Sequence, residues 1–199
     1  MKIRKLHRLI GLALSIPFLC WAVTGLVFFI KPGYASAYEQ LTPKTYPLTE
    51  SLSLTPDPAW NEIRLVRTVL GDHLLVRTKE GWLHLDPKTR VAKPKPNDSE
   101  IRVLLKDAFS ANPSRYGDIA SINGDTVKTT TGVQVRLDWS TLSLQQMGPD
   151  TERIDRLYRV HYLQWTGVKN VDKVVGFVGL TCVMALTVLG VVLAFKRTA

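Results

Sequence analysis

"LIGLALSIPFLCWAVTGLVFFI", residues 9–30, decides how the rest of this chain is read. The run holds 22 residues without a charge, and a helix of that length just crosses a hydrocarbon core of about 30 Å. A second uncharged run of 22 residues, "VVGFVGLTCVMALTVLGVVLAF", covers 174–195. Between them lies a polar segment of ordinary globular composition. The start "MKIRKLHR" and the small residues Ala35–Ala37 also have the form of a secretory signal. A signal's apolar region is only about 7–15 residues long, and Lys31 and Pro32 separate this run from the small residues. An uncleaved anchor is therefore expected. Cys20 follows the bulky Phe18 and Leu19, which does not suit a lipoprotein site.

The net charge of +9 would ordinarily point to nucleic acid. Its placement argues otherwise: Lys2, Arg4, Lys5 and Arg8 precede the first run, and Lys196 and Arg197 follow the second. Lys and Arg flanking a span mark its cytoplasmic side. Both termini are thus expected in the cytoplasm and the middle segment on the outer side of the membrane, with the lipid bilayer and no nucleic acid as partner. Both cysteines, Cys20 and Cys182, fall inside the apolar runs, so the middle segment has no disulfide framework.

The expected organisation is a basic N-terminus (1–8), a first transmembrane helix (9–30), an extracytoplasmic α+β domain (31–150), an amphipathic interfacial segment (151–173), a second transmembrane helix (174–195) and a short C-terminus (196–199). After a Pro-, Ser- and Thr-rich connector, extended structure is expected near "SLSL" (51–54). "HLLVRT" and "GWLHLD" flank Lys79-Glu80-Gly81, a β-hairpin pattern. In "DSEIRVLLKDAFSANP" (98–113), Ile101, Leu104, Leu105, Ala108 and Phe109 recur at helical spacing, with Ser99 as the expected N-cap. Strands return in 120–148, with turns at Asn123-Gly124-Asp125, Thr131-Gly132 and Asp138 to Thr141. Beyond Gly148, the residues Ile154, Leu157, Tyr158, His161 and Trp165 follow one helix face, and Gly167 separates this segment from the second run.

Four histidines carry what chemistry the sequence offers. His73 and His84 lie in or beside hairpin strands and read as structural or exposed. His7 and His161 stand near opposite ends of the apolar region. Each alone reads as an interfacial or packed histidine; together they suggest axial ligands for haem iron, which needs imidazole, an apolar slot and cations near its propionates. Arg8 or Arg4 would serve His7, and Arg156 or Arg159 would serve His161. Gly11, Thr24, Gly25, Gly176, Gly179 and Gly190 would let helices, or a porphyrin, approach closely. The two histidines are expected roughly 30 Å apart, too far to share one iron, so each needs a second ligand from elsewhere, most simply a twofold-related copy.

The opening "RKLHRLIGLALSIPFLCWAVTGLVFF" (4–29), the closing "LYRVHYLQWTGVKNVDKVVGFVGLTCVMALTVLGVVLAFKR" (157–197) and, more loosely, "LLVRTKEGWLHLDPKTRVAKP" (74–94) resemble PepSY-associated transmembrane proteins. The resemblance implies a membrane protein with two transmembrane α-helices flanking a small α+β PepSY-like periplasmic domain, placed in a bacterial inner membrane. It further implies haem b on His7 and His161, electron transfer toward a periplasmic ferric siderophore, and a role as a ferric reductase or a subunit of one. Larger members carry more spans than this chain, so a homodimer or a complex with other inner-membrane subunits is implied. The alternative is a non-catalytic, membrane-anchored PepSY interaction or assembly subunit. The sequence has no GxGxxG for a nicotinamide or flavin, and no GxSxG, HExxH or cysteine nucleophile for a hydrolase.

Overall fold

A computed structural model describes residues 2–49 and 55–195. The extended structure expected at 51–54 and the basic residues Lys196 and Arg197 lie outside the described residues. The elements in chain order are helices α1 (Lys2–Ile30) and α2 (Tyr34–Ala37), strands β1 (Glu62–Thr68), β2 (Gly71–Arg77) and β3 (Trp82–Leu85), helices α3 (Asp98–Phe109) and α4 (Pro113–Tyr116), strands β4 (Ile119–Asn123), β5 (Thr126–Thr129), β6 (Gln134–Asp138) and β7 (Ser143–Met147), and helices α5 (Pro149–His161) and α6 (Lys169–Phe195). The chain divides into two compact units, one of residues 1–34 with 150–199 and one of residues 35–149.

In the first unit, α1 and α6 are each long and apolar enough to cross a membrane. Both extend beyond the uncharged runs: α1 continues through the basic start to Lys2, and α6 begins at Lys169 rather than 174. The two pack antiparallel. A Cβ on Gly11 would lie 3.6 Å from Leu186 Cδ1, and one on Gly190 would lie 3.4 Å from His7 Cε1. Advancing four residues on α1 thus retreats four on α6, the spacing at which successive turns of a helix meet a neighbour. Much of the remaining apolar surface is bare, with Leu12, Ile16, Phe29, Phe177 and Leu180 all exposed.

The second unit is a small α+β domain. It holds a three-stranded antiparallel sheet ordered β1-β2-β3 and a four-stranded antiparallel sheet ordered β4-β5-β6-β7. β2 and β3 form the expected hairpin, closed by Thr78 N donating to Gly81 O at 2.8 Å. Turns also fall at 124–125, between β4 and β5, and at 131–132, between β5 and β6, where the sequence placed them. Along β6, buried Val135 and Leu137 alternate with exposed Gln134, Arg136 and Asp138, the period of a sheet with one wet face. β2 differs: His73, Leu74, Leu75 and Val76 are all buried, because both of its faces are covered. One face joins a core of α3 and the larger sheet through Leu75, while Leu74 and Val76 pack with Leu85 on the other.

α3 buries the five apolar residues expected of it, Ile101, Leu104, Leu105, Ala108 and Phe109. Its cap is Asn97, not Ser99. The Asn97 side chain accepts from the backbone of Ser99 and Glu100, and Glu100 Oε2 accepts from Asn97 N at 2.8 Å, closing a capping box. Ser99 lies inside the first turn, where its hydroxyl has no capping geometry to satisfy. Asn97→Ala should therefore destabilise the domain by about 1 kcal/mol, whereas Ser99→Ala should change it by less than about 0.5 kcal/mol. Denaturant unfolding of the detergent-solubilised chain, followed by far-UV circular dichroism, checks the pair.

Candidate functional site

α5 ends by presenting His161 to α1. Asp150 and Glu152 in its first turn and Arg159 in its last complement the helix dipole. Termination is abrupt: Leu163 takes φ 56°, and Gln164 N donates back to Arg159 O at 2.8 Å. That left-handed position usually holds glycine, and a branched side chain there is strained. The turn swings Leu163 onto α6, where its Cδ1 lies 3.2 Å from the position a Cβ would occupy on Gly179. Gly179 supplies the space that Leu163 takes. Because the helix stops here, Trp165 does not continue the helix face expected from its spacing. Its indole instead donates to Val160 O at 3.1 Å.

Aromatic rings and one hydrogen bond fix the plane of the His161 ring. Trp21 stacks on it at 5.5 Å with 14° between planes, while Phe28 and Tyr162 meet it edge-on at 5.0 and 5.4 Å. Its Cε1 lies 3.8 Å from where a Cβ on Gly25 would be. His161 Nδ1 is 2.9 Å from Thr24 Oγ1, and that hydroxyl is 2.7 Å from Cys20 O. A carbonyl only accepts, so the hydroxyl proton goes to Cys20, the oxygen lone pair faces the ring, and Nδ1–H is the donor. Nε2 has no hydrogen bond among the described residues and is the nitrogen left open to a ligand. A hydrogen bond that fixes one ring nitrogen so that the other can ligate is how proteins orient metal-binding imidazoles.

Beside the ring runs an apolar groove of about 490 Å³, within the range of small-molecule sites. Leu14, Pro17, Phe18 and Trp21 of α1 form one wall and Gly176, Gly179, Leu180 and Val183 of α6 the other, with His161 and Tyr162 at one end. Pro17 lies inside α1, where it lacks the N–H for the helical hydrogen bond. A Cβ on Gly176 would meet nothing within 4 Å, so this glycine leaves open space rather than a helix contact.

His7 is placed differently. Its ring rests on Gly190, and its Nδ1 is covered without a hydrogen-bond partner among the described residues. Seventeen residues of α1 separate His7 from Thr24, about 26 Å along the helix axis. The structure therefore keeps His7 and His161 apart, each against a glycine of the facing helix. Arg8, Arg156 and Arg159 are exposed and none lines the groove; Arg156 Nη2 lies 3.8 Å from Glu152 Oε2. Both α5 arginines project from other faces than His161.

His73 and His84 are neither exposed nor separate. Both are buried, with His73 Nδ1 2.9 Å from His84 Nε2. Three further side chains at the His161 site escaped the sequence reading. Thr24 was named there only as a small residue, and Trp21 and Phe28 were given no role at the site, although the three share a helix face by their i, i+3, i+7 spacing.

No family model matches the chain, and no solved structure matches it.

Thr24→Val keeps the volume but strands Nδ1–H in apolar surroundings, and should destabilise the helix pair by about 1–3 kcal/mol. Thr24→Ser, which retains the acceptor, should recover most of the loss. Thermal unfolding of both variants in detergent measures it.

Proposed function

We propose that this chain is a haem-binding membrane protein that passes electrons across a bacterial inner membrane, with His161 as an axial ligand. The observation that carries this reading is the His161 ring: Nδ1 held by Thr24, Nε2 unbonded, beside an apolar groove with open space over Gly176. The residues present fit the porphyrin ring and its axial bond, while the groove lining supplies no cation for the propionates. One face of a porphyrin would find imidazole, and the walls offer aliphatic and aromatic side chains rather than competing donors. Haem, when bound, supplies one-electron exchange at its iron. The protein's part is to orient His161 through Thr24 and keep water from the groove with Phe18, Trp21 and Leu180.

Membrane placement is supported by the uncovered apolar surface of α1 and α6, far more than a soluble monomer leaves exposed. The basic residues at both ends favour cytoplasmic termini and a periplasmic α+β domain. The groove holds one imidazole, so a second axial ligand would come from a twofold-related copy or a partner subunit. His7, near the far end of the helix pair, is the candidate ligand for a second haem on the cytoplasmic side. The resemblance to PepSY-associated transmembrane proteins suggests a ferric siderophore as the periplasmic electron acceptor.

The test is the absorption spectrum of detergent-purified protein, expressed with adequate haem and read oxidised and then reduced. A Soret band with sharp reduced α and β bands is expected. His161→Ala should remove the outer-side contribution, and Gly176→Leu, which fills the groove, should do the same while leaving helix content unchanged. Thr24→Val should weaken haem retention about 10- to 100-fold, the usual effect of losing the partner that orients a ligand. A folded native protein that takes up no haem would overturn the assignment and leave a membrane-anchored interaction module.

A further inference from the structure

The α+β domain contains a buried chain of hydrogen bonds that the proposed electron-transfer role does not use. In the β2–β3 register His84 is the cross-strand partner of Leu75, and His73 lies two residues from Leu75 on the same face. The two imidazoles thus fall diagonally together, at 0% and 6% exposure. His84 Nδ1 is 2.6 Å from the backbone carbonyl of Trp139, which follows β6 in the other sheet. That carbonyl can only accept, and the choice fixes every proton in the chain. His84 donates from Nδ1, so its Nε2 accepts from His73 Nδ1 at 2.9 Å, and His73 Nε2 accepts from Thr68 Oγ1 at 2.7 Å. Thr68 Oγ1 in turn accepts from Leu70 N at 3.1 Å. The link between the sheets is reinforced beside it, where Trp139 Nε1 donates to Lys93 O and Lys93 N to His84 O.

Both rings are neutral in this arrangement, and no nitrogen is left for a further proton. One added proton on His73 Nε2 would turn that nitrogen from acceptor to donor and force the Thr68 hydroxyl proton away from it; a second, on His84 Nε2, would set two N–H groups against each other. The surrounding charges oppose protonation as well. Lys93 lies near both rings, its ammonium donating to Asp72 O at 2.6 Å. Asp72, Asp86 and Glu100 act on Lys93, and Arg67 lies 3.8 Å from Asp72. The cleft that opens on His84 and Trp139 adds the Lys95–Asp125 pair, Arg136 and Asp138. No carboxylate accepts a hydrogen bond from either ring among the described residues.

We propose that this hydrogen-bonded pair is a pH-sensitive latch between the two sheets, closed while both imidazoles are neutral and opened by proton uptake in acid. Burial, followed by Lys93 and His84, pushes His73 down to about 3, and burial also lowers His84 despite the Trp139 carbonyl. The sign follows from the depressed values. An opened histidine titrates near 6.5, so below that pH the open form binds protons that the closed form rejects. The latch is fully effective above about pH 6.5 and weakens as pH falls toward 3. For one histidine, going from pH 7 to pH 5 raises the open-to-closed ratio by roughly 25-fold.

Hydrogen exchange of the full chain in detergent, corrected for intrinsic rates and resolved by segment, tests this. Opening of β2 and β3 amides should rise by about 25-fold or more from pH 7 to pH 5, with α1 and α6 unchanged, and His73→Gln should flatten the dependence. Opening that is independent of pH, or a dependence intact in His73→Gln, would overturn the latch. If that variant does not fold, the ring nitrogen resonances of the native chain decide. Rings that remain neutral and Nδ1-protonated at pH 5 in the closed form support it, and ordinary titration near 6.5 overturns it.

Discussion

Imidazole against glycine is the contact on which the helical unit depends. His7 rests on Gly190 and His161 on Gly25, so each end of the α1 seam carries a ring where the opposing backbone has no side chain. A methyl group would meet the ring at 3.8 Å on Gly25 and at 3.4 Å on Gly190, ordinary contact distances, so each ring lies one methyl's width from the facing backbone, and it brings polar atoms to an otherwise apolar surface. In a hydrocarbon surrounding, where lipid competes equally for apolar side chains, small residues that let backbones approach and polar groups that find partners are what hold helices together. The Thr24–His161 hydrogen bond provides the second of these and the glycines the first.

The same residue type solves a different problem in the α+β domain. There two imidazoles replace apolar side chains on the core face of β2 and β3, and each buried nitrogen must find a partner. The chain from Thr68 to the Trp139 carbonyl satisfies all four. Its direction is dictated by one acceptor that cannot donate, which makes the arrangement sensitive to a single proton in a way an aliphatic pair would not be.

Much of this was legible in the sequence, and the limits have physical causes. Two uncharged runs announced α1 and α6, and the spacing of Ile101, Leu104, Leu105, Ala108 and Phe109 announced α3, because periodicity reports burial directly. The cap on α3 was misplaced because Ser99 and Asn97 are both good N-cap residues, and only the reciprocal bond with Glu100 distinguishes them. Trp165 was carried onto the α5 face because nothing local marks Leu163 as a helix stop; a leucine at φ 56° is imposed by tertiary packing on Gly179. The His73–His84 pair was hidden for a related reason. Eleven residues apart on adjacent strands, the two meet only once the hairpin register is known.

The two histidines of the helical unit, symmetric in sequence, are unequal in structure. His161 has a partner that selects its tautomer, an aromatic cage that fixes its plane and a groove beside it. His7 has the glycine but no partner on Nδ1 among the described residues. A ligand whose second nitrogen is hydrogen-bonded is the stronger base and the better oriented one, so the single chain is prepared for a ligand at the His161 end and less so at His7. If both ends bind haem, the missing partner for His7 has to arrive with assembly. The inequality is one of preparation: the His161 imidazole is oriented within the chain by Thr24, whereas nothing among the described residues orients the His7 imidazole in the same way.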